Sequence, residues 1–169
     1  MPARTSNTGK TVFSRNAGHD RNLAEQVVQT PRDFMQEVCR RWGPMVFDLA
    51  ATLQNRQAER HFNIEQNTLH QDWTALFGNL WLNPEYSNVM PYARKCAKSA
   101  PPGQDDRRIF FLVPASTGSN WFGYHIHQKA MVRFLSPRLQ FVGHENPFTQ
   151  DLMLVTFGEE PGYSWWRWR

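Results

Sequence analysis

Leu80-Trp81-Leu82-Asn83-Pro84-Glu85-Tyr86-Ser87-Asn88 passes from an apolar run to a polar turn. Three large apolar side chains in succession suit a strand buried on both faces, and Asn-Pro stops it. Val89, Tyr92, Ala93, Cys96 and Ala100 then follow helical spacing. A buried strand that ends in a polar turn and hands over to a helix is the repeating unit of an α/β sheet.

The unit recurs on both sides of this stretch. Upstream, Thr30 suits a helix cap and Pro31 a first helical position. Phe34, Val38 and Trp42 form one apolar face, and Gly43-Pro44 ends the helix. Met45-Val46-Phe47 leads into Asp48-Leu49-Ala50-Ala51, a short strand ending in an acid and small residues. Residues 52–60 read as a polar helix, His61-Phe62-Asn63-Ile64 as another strand, and Trp73 to Phe77 as a short apolar patch.

Downstream, residues 101–106 form a surface loop. Ile109-Phe110-Phe111-Leu112-Val113 is the strongest buried strand and stops at Pro114. A helix is expected from Ser119 to Ala130, then strands at Val132–Leu135 and Leu152–Phe157. This order predicts an α/β fold with a mostly parallel sheet and helices on both faces. Ligands in such folds bind beyond the carboxyl ends of the strands. Asp48 and Asn83 stand at two of those ends.

Bulk properties narrow the classes. A chain of 169 residues fits one domain with a real core. Residues 1–25 are polar and read as a flexible arm, leaving 26–169 as the folded domain. The net charge of +4 permits a polyanionic partner without requiring one. Cys39 and Cys96 are too far apart and too few for a disulfide framework or a zinc site, so both read as reduced thiols. His125 and His127 do not share a helix face, and no metal is expected. No apolar run is long enough to span a membrane, and no secretory signal is visible, which points to the cytoplasm.

Asn83-Pro84-Glu85-Tyr86 carries the parts for activating an exocyclic amine. Such a nitrogen delocalises its lone pair into the ring and is a poor nucleophile. Two acceptors for its hydrogens draw it toward a tetrahedral geometry. The Asn83 amide oxygen and the Pro84 carbonyl would supply them, and Tyr86 would stack on the base. Positioning and electrostatics would carry the rate. The same four residues also suit an ordinary turn entering a helix.

The chain resembles the phage-type DNA adenine-N6 methyltransferase (Dam-like) family, whose catalytic motif is Asp/Asn-Pro-Pro-Tyr/Phe. Leu80 to Asn88 is similar to the catalytic segment. Gln29-Thr30-Pro31-Arg32-Asp33-Phe34 resembles the family's opening Thr-Pro element, and Val46-Phe47-Asp48-Leu49-Ala50-Ala51 its acid-ended first strand, followed by Asn55. Asp72-Trp73, Leu112-Val113-Pro114-Ala115-Ser116-Thr117 with Trp121-Phe122, and Arg138-Leu139-Gln140-Phe141 match further blocks in order. The matches extend over about residues 28–160.

The resemblance implies a trimmed Rossmann-like methyltransferase domain over 26–169 and S-adenosylmethionine as methyl donor. It places Thr30, Pro31, Asp48 and Ala50 at the donor and Asn83, Pro84 and Tyr86 at the reaction centre. The implied substrate is adenine flipped from double-stranded DNA, in a phage marking or restriction-modification setting. Asp48 also reads as an acid capping the following segment. Ser119, Asn120 and Arg138 are candidate DNA contacts, as are Arg107 and Arg108. A homodimer stays open.

One departure stands in the motif: Glu85 replaces its second proline. Proline would fix that backbone and carry no charge. A non-catalytic relative that binds DNA or a partner protein is therefore the alternative. Cytosine N4 offers a similar amine as a third reading. The tail Trp165-Trp166-Arg167-Trp168-Arg169 reads either as a packed terminal strand or as a surface that stacks bases and grips phosphate.

Overall fold

Consecutive residues of a strand point to opposite faces, and in this protein both faces are apolar. The computed structural model describes residues 29–103 and 106–169. The expected arm at 1–25 lies outside the described residues. Eleven-residue helix α1 (Arg32–Trp42) precedes β1 (Phe47–Asp48). Next come two 3-10 turns (Thr68–His70 and Trp73–Ala75), β2 (Asn79–Leu82) and α2 (Met90–Ser99). β3 (Arg108–Pro114), α3 (Asn120–His125), β4 (Met131–Ser136), β5 (Leu152–Phe157) and β6 (Gly162–Arg167) complete the chain.

Among the described residues the strands form one six-stranded sheet in the order β1-β2-β3-β5-β4-β6. Leu80, Leu82, Ile109, Phe111 and Val113 face one side, with Ala93 and Cys96 of α2 and Phe122 of α3. Trp81, Phe110 and Leu112 face the other, with Phe34, Met35 and Val38 of α1. Helices thus cover both faces, as expected. Burying each such large apolar side chain contributes about 1.5–3 kcal/mol.

The sheet is mixed: β5 alone runs against the direction shared by the other strands. β1, β2 and β3 run parallel, and so do β4 and β6. β5 is antiparallel to both β3 and β4 and lies between them. An apolar run carries no direction. The long 137–151 connection lets the chain reverse and insert β5 beside β3.

Three local expectations change. Residues 52–60 are turns, because side chains capture the backbone groups a helix would use. The Thr52 N–H donates to Asn55 Oδ1 (2.6 Å) and the Gln57 N–H to Asp48 Oδ2 (2.9 Å). The expected strand at 61–64 reduces to one bridge between His61 and Asp48. Asn63 and Gln66 then close a turn through reciprocal side-chain bonds of 2.9 and 3.0 Å. α3 stops at His125 rather than Ala130, and Gln128 takes φ of 58° in the left-handed region.

The C-terminal tail is a sixth strand. Trp166 and Trp168 pack on Phe34 at centroid distances of 5.7 and 5.2 Å, and Trp166 meets Trp42 edge-on at 5.0 Å. Gly158, in the β5–β6 turn, has φ of +86°, and a Cβ there would lie 2.2 Å from the Arg107 carbonyl oxygen. Only glycine fits that close approach.

Candidate active site

β1 and β2 end side by side. Asp48 is in register with Trp81, so Ala50 and Asn83 each emerge two residues further along adjacent parallel strands. Beyond them opens a cleft of about 380 Å³. Asn83, Pro84 and Glu85 form one wall, Ala50, Ala51, Thr52 and Asn55 another. Phe62, Ile64, Asn67 and Thr68 close the third side. Ile64 is 88% exposed, an apolar side chain left on the cleft's rim.

Asn83 is held from two directions. Its Nδ2 donates to Thr30 Oγ1 at 3.2 Å, and the Tyr86 hydroxyl donates to its Oδ1 at 2.9 Å. Thr30 is buried and does not cap α1, whose N-terminal flanking residue is Pro31 with no side-chain cap. The expectation of Thr30 as a cap is therefore corrected: its hydroxyl serves Asn83. Tyr86 packs edge-on against Phe148 at 5.8 Å rather than lining the cleft, and burial pushes its phenol well above the ordinary value. A carbonyl oxygen has two lone pairs, so Tyr86 orients the Asn83 amide and occupies one accepting direction.

Asp48 is 2% exposed and stands behind the cleft wall. Its Oδ1 accepts from the Ala50 N–H (3.2 Å) and its Oδ2 from the Gln57 N–H. Burial pushes its carboxyl up to about 6, against the downward pull of those two donors and of His61. Asp48 thereby shapes the 50–57 loop. Of the residues assigned to the donor, Ala50 lines the cleft, while Thr30, Pro31 and Asp48 sit outside its lining.

The candidate DNA contacts lie on the same rim, since β2, β3 and β4 point one way. After β3, Ser119 caps α3: its Oγ accepts from the Phe122 N–H (3.3 Å) and donates to the Ser116 carbonyl (2.7 Å). Asn120, exposed, follows it. After β4, Arg138 pairs with Asp151 at 2.7 Å, and both are exposed. Such a pair contributes little and is easily exchanged for a phosphate.

Arg107 is different. It is 4% exposed and donates to the carbonyls of Leu76 (2.6 Å), Ser99 (2.7 Å) and Thr74 (2.7 Å). It ties α2 to the segment before β2, which corrects its reading as a phosphate contact. Arg108 is exposed at the amino end of β3, away from the cleft.

Sequence reasoning missed the wall formed by Phe62, Ile64, Asn67 and Thr68. Alternating apolar residues at 61–64 look like a strand, and only the Asn63–Gln66 turn shows otherwise. Among the described residues no cluster of three or more His, Cys, Asp or Glu side chains is arranged to hold a metal ion. No helix of the described residues is long and apolar enough to cross a membrane.

A strand-end asparagine on a cleft in a mixed α/β sheet describes a class of site. The family model of DNA N-6-adenine-methyltransferase (Dam) matches residues 19–151, and the chain belongs to that family. It is also 29% identical over 93 residues to the DNA N-6-adenine-methyltransferase of Escherichia phage T1. That match takes in 55% of this chain and 37% of the relative's length. No solved structure matches the chain. The resemblance seen in the motifs is thereby borne out at the level of family.

Proposed function

We propose that this chain transfers a methyl group from S-adenosylmethionine to the N6 amine of an adenine flipped out of double-stranded DNA, on a trimmed Rossmann-like fold. The observation that carries the reading is the two-sided hold on Asn83 where β2 opens into the cleft. An amide held in this way meets an exocyclic amine with little reorganisation, so its interaction is available when charge develops on the nitrogen. Pro84, buried on the same wall, offers its carbonyl as the second acceptor.

The cleft suits the donor on its own chemistry. About 380 Å³ is within the range of small-molecule sites. Phe62 and Ile64 offer apolar surface for a purine, and Thr52, Asn55, Asn67 and Thr68 offer uncharged polar groups for hydroxyls and amines. When bound, S-adenosylmethionine supplies an electrophilic methyl on a sulfonium centre. Asn83 and Pro84 hold and polarise the amine, and the rim with Ser119, Asn120 and Arg138 receives the backbone of a duplex whose target base has left the stack.

The test is transfer of labelled methyl to duplexes lacking either adenine or cytosine. Transfer that needs adenine and vanishes in Asn83→Ala supports the reading. Transfer only to the cytosine-containing duplex moves the target to N4. Folded protein that transfers to neither overturns the reading.

One observation favours a second reading, a non-catalytic relative that binds DNA. Glu85 lines the same cleft as Asn83, placing a carboxylate where the motif carries an uncharged proline. Calorimetric titration with S-adenosylmethionine separates the two, since only the enzyme requires donor binding.

A further inference from the structure

The Trp/Arg-rich tail is not used by the cleft, and β6 sorts its side chains by parity. Trp166 is buried against α1, while Tyr163, Trp165 and Arg167 share the opposite face. Trp165 is 69% exposed, Tyr163 49%, and Tyr124 of α3 63%. The Tyr163 hydroxyl is hydrogen-bonded to His127 Nδ1, which joins β6 to the turn after α3.

Cations lie near the end of α3, beside the turn that holds Tyr163. Lys129 follows α3, and Arg94 and Lys98 sit one helical turn apart on α2, which packs against α3. Lys129, Arg94, Lys98 and Arg167 are all exposed, and none makes an ion pair among the described residues. His125, the last residue of α3, is held below its ordinary value by burial first and then by Lys129, Arg94 and Lys98.

We propose that this face binds single-stranded nucleic acid, with Trp165 and Tyr163 stacking on unpaired bases and Lys129 and Arg167 meeting phosphates. Two observations choose this occupant. Unopposed positive charge calls for a polyanion rather than a second copy of a chain carrying the same charge. Duplex backbone needs cations alone, whereas exposed flat rings interleaved with cations match bases whose faces are free. The face is separate from the cleft: β2 and β6 stand four strand spacings apart, about 19 Å.

The probe is a labelled twelve-nucleotide oligothymidylate, which lacks adenine and so offers the cleft no target base. Fluorescence anisotropy with the full chain is expected to show salt-sensitive binding. Trp165→Ala should weaken it on the order of tenfold or more. Lys129→Gln with Arg167→Gln should lower the slope of log affinity against log salt by about 0.7 per cation lost. Methyl transfer to duplex, where present, should be unchanged in Trp165→Ala. An absence of oligothymidylate binding overturns the proposal, as does binding indifferent to Trp165. So does a dimer, seen by sedimentation, that hides Trp165. Failure of methyl transfer with oligothymidylate binding intact would instead overturn the proposed function alone.

Discussion

The side-chain amide of Asn83 donates to the hydroxyl of Thr30 at 3.2 Å, across 53 residues of chain. The contact joins the segment leading into α1 to the end of β2, and with Tyr86 on the other side it sets the plane of the amide. Asn83 is therefore positioned by residues that need not touch substrate.

Thr30→Val keeps the shape and removes the acceptor. On the proposed function, kcat should fall about tenfold, the worth of one hydrogen bond near 1.4 kcal/mol. Thr30→Ser should restore most of it. Steady-state methyl transfer checks both, and a change confined to the KM for the donor would argue for donor contact instead.

Glu85 places a carboxylate on the cleft wall beside Asn83. Glu85→Gln should strengthen duplex DNA binding a few-fold at low ionic strength, and the gain should fade as salt screens the charge. Binding isotherms at two salt concentrations test this. An equal affinity at low salt would mean the carboxylate points away from the DNA path.

Asp48 predicts a pH dependence of stability. Its folded-state value, about 6, lies above the ordinary 3.8 because of burial. Its protonated form is thus favoured by folding, so its contribution is fully present below about pH 4 and is lost as pH rises through 6. A shift of about two units corresponds to ~3 kcal/mol at most. Urea unfolding from pH 4 to 7 should show wild type losing stability relative to Asp48→Asn. A constant difference across that range would contradict it.

Arg107 binds three carbonyls on two segments, the stretch before β2 and the end of α2. Arg107→Met leaves buried acceptors without their donor and should destabilise by about 3 kcal/mol. The salt dependence of DNA binding should stay as in wild type. Chemical unfolding and binding isotherms read the two effects separately.

Much of the fold was legible along the chain because burial on two faces leaves continuous apolar runs. The strands at Leu80–Leu82, Ile109–Val113 and Leu152–Phe157 needed no tertiary information, nor did the helix ended by Gly43. The 52–64 segment was misread because its polar and alternating patterns suit regular structure. The competing bonds from Asp48, Asn55 and Gln66 appear only when the chain is folded.

The sequence by itself determined the family, the strand that presents Asn83 and the acid-ended strand beside it. Those follow from local residue order, which periodicity and motif spacing record. Only the tertiary structure decided that β5 inserts antiparallel between β3 and β4, that Thr30 serves Asn83 rather than α1, and that Arg107 is internal. Each depends on which distant groups meet, and a hydrogen bond spanning 53 residues leaves no periodic trace in the chain. The tail shows the division within one strand. Its alternation marks two faces, and the position of α1 decides that Trp166 is core and Trp165 is surface.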